Sequence, residues 1–205
     1  MTMPTKIRIT KEMILDAAFD IVRESDIEAL SNREIAARLN CSIMPIYYQF
    51  ANAEELQSEL YKKIRKYFYD YILGNMVDGL PPYKQLGLHY INFARTEKNL
   101  FKVLFMSKHD YEPVNLVTNA NEYNEIAKLV SLSTDLDDEE IKQFHSKMWI
   151  FTHGIATIVA NEPYFLNDDE IQDLLSSEFK ALLLLEKVSR KRVPMKNEDD
   201  LPAVM

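Results

Sequence analysis

Apolar residues recur at helical spacing along nearly the whole chain. Ile14, Leu15, Ala18, Phe19 and Val22 form one stripe behind Thr10, a suitable N-cap. The spacing therefore predicts a first helix that ends near Ser25 and Asp26, with Ile27 and Leu30 leading onward. Residues 31–50 read as two short helices joined by a tight turn. Ser31 and Glu34 have the spacing of a capping box, and Ile35, Ala36 and Leu39 share the face behind it. Ala36 is small enough to let two steeply crossing helices approach. Asn40 stands where the chain reverses and tolerates a left-handed conformation. Ser42 is the expected cap of the second short helix, with Pro45 in its first turn. Ile46 and Phe50 then face the core, while Met44, Tyr47, Tyr48 and Gln49 face outward. Such a unit fits a DNA major groove; the same pattern also serves two ordinary helices of a bundle.

Asn52 with Glu55 resembles another cap, opening a long helix through Leu56, Leu60, Ile64, Phe68 and Ile72. Its run from Lys62 to Lys66 reads as a solvated face before it reads as a phosphate site. Gly74, Gly79 and Pro81-Pro82 break the pattern, and further helices are predicted at about 82–97, 99–106 and 115–132. Asp137 to Glu140 places acidic groups at the start of a helix reaching about residue 160, favourably for its dipole. Asn161-Glu162-Pro163 stops that helix, and Asn167 to Glu170 opens a last one ending near Glu186. The expected fold is all-α, with about nine helices. The expected organisation is a helix-turn-helix domain over 1–52, a connecting helix over 53–72 and a larger helical domain over 73–188. A disordered tail is expected over 189–205.

Composition narrows the function classes. The chain has 205 residues, ample for a buried core, and its single cysteine, Cys41, rules out an internal disulfide and suits a reducing cytoplasm. No run approaches the roughly 20 apolar residues of a membrane span, so a cytoplasmic protein is expected. The net charge of −8 is unevenly spread: −1 over residues 1–71 and −7 over 72–205. The candidate DNA-reading part thus escapes the acidity, but Lys6, Arg8, Lys11, Arg33 and Arg38 must share a face to attract phosphate. No enzyme is expected. The four glycines are isolated, and His145 and His153, eight apart, have no acid between them for a metal, so no cofactor is expected either. Cys41 reads as a packed thiol, not a nucleophile.

With these residues laid out, the chain resembles the TetR family of bacterial one-component transcriptional regulators. The resemblance is clearest over about 10–60: Ile14-Leu15-Asp16-Ala17-Ala18, then Arg33-Glu34-Ile35-Ala36, then Ser42, Ile46, Tyr47 and Phe50, then Leu56 after Glu54-Glu55. Farther on, Trp149, His153 and Gly154 resemble a tryptophan–histidine–glycine pattern of one subgroup. Three positions depart from the family: Asn40 for the turn glycine, Gln49 for a frequent histidine, and Ala53 for a lysine near the start of the fourth helix.

The resemblance implies a homodimer, paired through helices at about 138–160 and 168–186, that binds a pseudo-palindromic double-stranded DNA operator. It implies a repressor released by a small-molecule effector; a TetR-like activator and a helical adaptor without DNA contact are the alternatives. Carried over residue by residue, Tyr47 would contact a phosphate and Ser42 would lie near the backbone. Met44, Pro45 and Tyr48 would face base edges, with Gln49 able to donate and Arg33 near the phosphates or groove. Apolar contact with thymine methyls would then carry much of the readout. The sensing part is rich in aromatic residues, and Tyr90, Phe93, Phe101, Phe105, Tyr123, Trp149 and His153 are the candidate lining of a pocket for an apolar or aromatic effector. Any one of them also suits a plain helical core.

Overall fold

The computed structural model describes residues 8–74, 76–107, 120–161 and 165–191, and among them all regular structure is helical. The first three helices are α1 (Lys11–Glu24), α2 (Asn32–Arg38) and α3 (Met44–Gln49), with a 3-10 turn at Ile27–Ala29. They start where side chains satisfy free backbone donors. Thr10 accepts from the Met13 N–H at 3.2 Å and Ser31 from the Glu34 N–H at 3.1 Å. Asn40 is left-handed, with φ of 48°. The second short helix departs from expectation. Ile43, not Ser42, stands at its N-cap, since its carbonyl accepts from the Ile46 N–H, and its hydrocarbon side chain can make no cap hydrogen bond. The buried stripe of α1 meets Ile35, Ala36, Ile46 and Phe50 to form the core of this small unit.

Helix α4 (Ala53–Leu73) follows at once, capped by Asn52, whose Oδ1 accepts from the Glu55 N–H at 2.8 Å. Leu56, Leu60, Ile64, Phe68 and Ile72 are all buried along it. At roughly 2 kcal/mol for each such side chain, this stripe alone anchors α4 between the two parts of the molecule. Its basic run is held by acids, as a solvated face requires: Lys62 by Glu59, Lys63 by Glu12 and Asp16, Arg65 by Glu122 and Lys66 by Asp70.

The remaining helices are α5 (Pro82–Thr96), α6 (Lys98–Phe105), α7 (Ala120–Ser131), α8 (Asp138–Asn161) and α9 (Asp168–Lys191). The start expected for the seventh helix, near 115, lies outside the described residues. Asp137 caps α8 by accepting from the Glu139 and Glu140 N–H groups. Asn167 and Glu170 cap α9 reciprocally, each side chain accepting from the other's N–H at 2.9 Å. The last helix runs to Lys191, past the end expected at Glu186, so residues 189–191 are helical; the rest of the expected tail lies outside the described residues. α5 lies at the centre of the larger part, packed against α4, α6, α7, α8 and α9. Among the described residues no helix is long and apolar enough to cross a membrane.

Candidate DNA-reading helix and ligand cavity

Helix α3 has one buried face, formed by Ile46 and closed by Phe50 just beyond its end. The rest of it is open: Met44 is 49% exposed, Tyr47 56% and Tyr48 77%. Ser42 is exposed and Pro45 half-buried. Gln49 does not join this surface; its amide donates to the Ile9 carbonyl at 3.4 Å and ties α3 to the chain before α1. Two of the expected cations are likewise engaged inside the unit. Arg38 donates to Glu24, which holds that carboxylate below its usual pKa, and Lys11 lies 3.3 Å from Glu55 and 5.0 Å over the Phe50 ring. Arg8 and Arg33 are exposed and have no acidic partner among the described residues, while Lys6 lies outside them. The small unit thus carries an exposed methionine and two exposed tyrosines on α3, with the exposed Arg8 and Arg33 elsewhere on its surface.

The larger part encloses a cavity of about 540 Å³ between α5, α8, α9 and the end of α7. Its walls are mainly apolar, with Leu86, Met148, Trp149, Leu175 and Phe179 among them. Gly87 of α5 also lines it, and a Cβ there would make ordinary contact with the Leu175 side chain at 3.4 Å. Most polar atoms in the lining are spent on their own helices. The Thr152 hydroxyl donates to the Met148 carbonyl at 2.7 Å and the Ser176 hydroxyl to the Gln172 carbonyl at 2.6 Å. His145 differs. It is 5% exposed, its Nδ1 lies 2.8 Å from the Tyr83 hydroxyl, and its Nε2 is buried without a partner among the described residues. Burial holds its pKa down to about 4, so the imidazole is neutral at neutral pH. Burial also pushes the Tyr83 and Tyr90 hydroxyls well above the usual phenol range.

No family model matches the sequence, and no curated protein matches it either. Solved structures do match. A TetR-like transcriptional regulator from Rhodococcus sp. RHA1 superposes with a TM-score of 0.61 at 19% identity, over 89% of this chain and 99% of that one. A TetR-family transcriptional regulator from Haemophilus influenzae gives 0.59 at 12% identity, over 83% and 94%. A TetR-family protein from Vibrio parahaemolyticus gives 0.56 at 20% identity, over 83% and 97%. The chain has the TetR fold. At these identities the fold is what is shared, and it extends over nearly the full length of each relative.

Within this TetR fold the seven aromatic and histidine candidates divide. Tyr90 and Trp149 line the cavity. Phe93 and Phe101 are wholly buried core residues outside the lining, and Phe105 packs at 4.9–5.6 Å among Phe68, Tyr90 and Phe101. Tyr123 is half-buried on α7, away from the lining. His153 stacks on Trp149 at 4.9 Å and 10°, with its Nδ1 2.9 Å from the Tyr90 hydroxyl, and it does not line the cavity. The sequence reading passed over Tyr83 and His145. The available signal was the spacing of His145, Trp149 and His153 at every fourth residue, which sets His145 on the face that Trp149 turns to the cavity.

Proposed function

We propose that the protein is a TetR-family transcriptional regulator, a homodimeric repressor whose paired α3 helices read a pseudo-palindromic operator. A small molecule in the cavity releases it. The observation that carries this reading is the exposure of Met44, Tyr47 and Tyr48 on a helix whose other face is fully used in packing. A helix this short gains nothing for its own unit by holding three large side chains in water, whereas apolar base contacts and a phosphate contact use all three. The exposed Arg8 and Arg33, without an acidic partner among the described residues, supply attraction to phosphate on the same small unit.

A second copy of the chain is the partner that fits the outer faces of α8 and α9. Ile150, Gly154 and Ile158 follow one another every four residues on α8; all three are exposed, and a Cβ on Gly154 would meet nothing within 4 Å. Leu174, Ala181, Leu184, Leu185 and Val188 form the matching exposed stripe on α9. Two such pairs make a four-helix bundle that buries both stripes and sets two reading helices apart at a fixed distance.

Effector release requires that an occupied cavity disfavour the DNA-binding arrangement. Tyr90 connects the two parts, since it lines the cavity and touches Phe68 of α4. An electrophoretic shift with the gene's own upstream region tests the regulator reading. A discrete, competitor-resistant complex is expected; the absence of any shift supports the helical adaptor instead.

A further inference from the structure

We propose that His145 is the polar anchor of the cavity, and that the effector is an uncharged, largely apolar molecule whose carbonyl oxygen accepts a hydrogen bond from His145 Nε2–H. The inference rests on the reading of the cavity as the effector site and names the chemistry of its occupant.

The tautomer follows from the partner. Tyr83 has no hydrogen-bond partner other than His145 Nδ1 among the described residues, and a phenol is a far better donor than acceptor. Its O–H therefore donates to Nδ1, which fixes the imidazole proton on Nε2. That nitrogen is then a buried donor with no acceptor among the described residues. Such groups are rare in folded proteins because each forgoes the hydrogen bond that water would give it, and a site that awaits a ligand is one setting that explains them. His145 lies in the lining of a cavity whose volume falls within the ordinary range of small-molecule sites.

The serine and threonine hydroxyls of the lining are already engaged. The Thr152, Ser133 and Ser176 hydroxyls donate to carbonyls of Met148, Leu129 and Gln172. His153, whose Nδ1 meets the Tyr90 hydroxyl, lies outside the lining. The His145 ring is neutral, so it offers a hydrogen bond but no charge to offset a buried carboxylate. Lys84 and Lys180 also line the cavity, and Lys180 is exposed. An anionic ligand would be drawn to them and away from His145, which makes the anion the alternative that the experiment must separate. Ketones, esters, amides and quinones carry the required acceptor on an uncharged body.

Trp149 is the single tryptophan of the chain and lines the cavity, so intrinsic fluorescence reports occupancy directly. The full-length protein, without DNA, is titrated with methyl nonyl ketone, undecane and undecanoate, alongside His145→Phe, which keeps a ring of similar size. The ketone is expected to bind the unmodified protein about tenfold more tightly than His145→Phe, while undecane does not distinguish the two. Equal ketone affinity for both proteins, no ketone binding, or tighter binding of undecanoate than of ketone would overturn the proposal. Nitrogen NMR of the histidine side chains in the unmodified protein gives a second test that needs no variant. His145 is expected to be protonated at Nε2, with that signal moving when ketone is added; protonation at Nδ1 would contradict the assignment. Because no DNA is present, failure to bind an operator would sink the regulator reading and leave this result intact.

Discussion

The Tyr90 ring on α5 meets the Phe68 ring on α4 edge to face, with centroids 5.5 Å apart and planes at 85°. Tyr90 borders the cavity and Phe68 is wholly buried in the helix that begins next to the candidate reading unit. Movement of α5 around a ligand is therefore felt by α4 through packed rings, with no loop to absorb it. The Tyr90 hydroxyl also satisfies His153. Tyr90→Phe keeps the ring contact and leaves His153 Nδ1 without its partner. It should lower unfolding free energy by about 1–3 kcal/mol in urea titrations while leaving operator affinity unchanged.

A second link between the parts runs through Glu97, which is 5% exposed at the junction of α5 and α6. Arg23 of α1 donates to both of its carboxylate oxygens, by Nε at 2.7 Å and again through its terminal nitrogen, and Tyr67 of α4 donates at 3.0 Å. The Asn99 amide donates to the Arg23 carbonyl at the same place. One buried carboxylate thus ties α1 and α4 to the junction of α5 and α6. Arg23 is 46% exposed and can recover water, so its charge contributes less than a fully buried pair would. Glu97→Gln should cost about 1–2 kcal/mol of stability. It should also reduce the coupling between cavity occupancy and DNA affinity, measured by repeating operator titrations with a saturating ligand.

Acid sensitivity follows from His145. Its folded pKa is lowered by burial to about 4, below the ordinary histidine value of 6.5, and that of His153 is lowered too. Between those values the unfolded chain takes up a proton that the folded protein refuses, so stability is complete above about pH 6.5 and falls as pH drops toward 4. For His145 the loss is of the order of 3 kcal/mol across the window. Glu24, Glu55 and Glu59 have lowered pKa values and so titrate below 4.5, leaving the upper part of the window to the histidines. Urea midpoints measured from pH 7 to 5 should fall, and His145→Phe should flatten the slope. An unchanged slope in that variant would mean that His145 is not held neutral.

The stripe on α8 and α9 makes a dimer test independent of DNA. Ile150 and Leu184 are 63% and 64% exposed and contribute little to the protomer core, so Ile150→Glu with Leu184→Glu should leave helicity intact. Light scattering should report a dimer for the unmodified chain and a monomer for the double variant. Operator affinity should fall with it, because the second half-site loses its tethered reader.

Helix positions were legible in the sequence because caps and periodicity agreed with packing. Thr10, Asn52 and Asn167 cap where their types predict, and every apolar residue named along α1 and α4 is buried. Ser42 misled because its hydroxyl suits a cap, whereas the carbonyl of Ile43 closes the turn by itself. The cavity was legible only as an aromatic-rich region. Residue type cannot distinguish Phe93, which fills the core, from Trp149, which borders space. Nor could it distinguish a satisfied His153 from an unsatisfied His145, because each depends on a tyrosine more than 60 residues away.

Whether α3 reads DNA as one of a pair is decided by unbiased selection of bound duplexes from a random pool. Two inverted half-sites should be enriched, about one helical turn or a multiple of it apart. On those duplexes Tyr47→Phe should weaken binding roughly tenfold and uniformly, as the loss of one phosphate contact would. No enrichment, or a change of base preference in Tyr47→Phe, would contradict paired reading by α3.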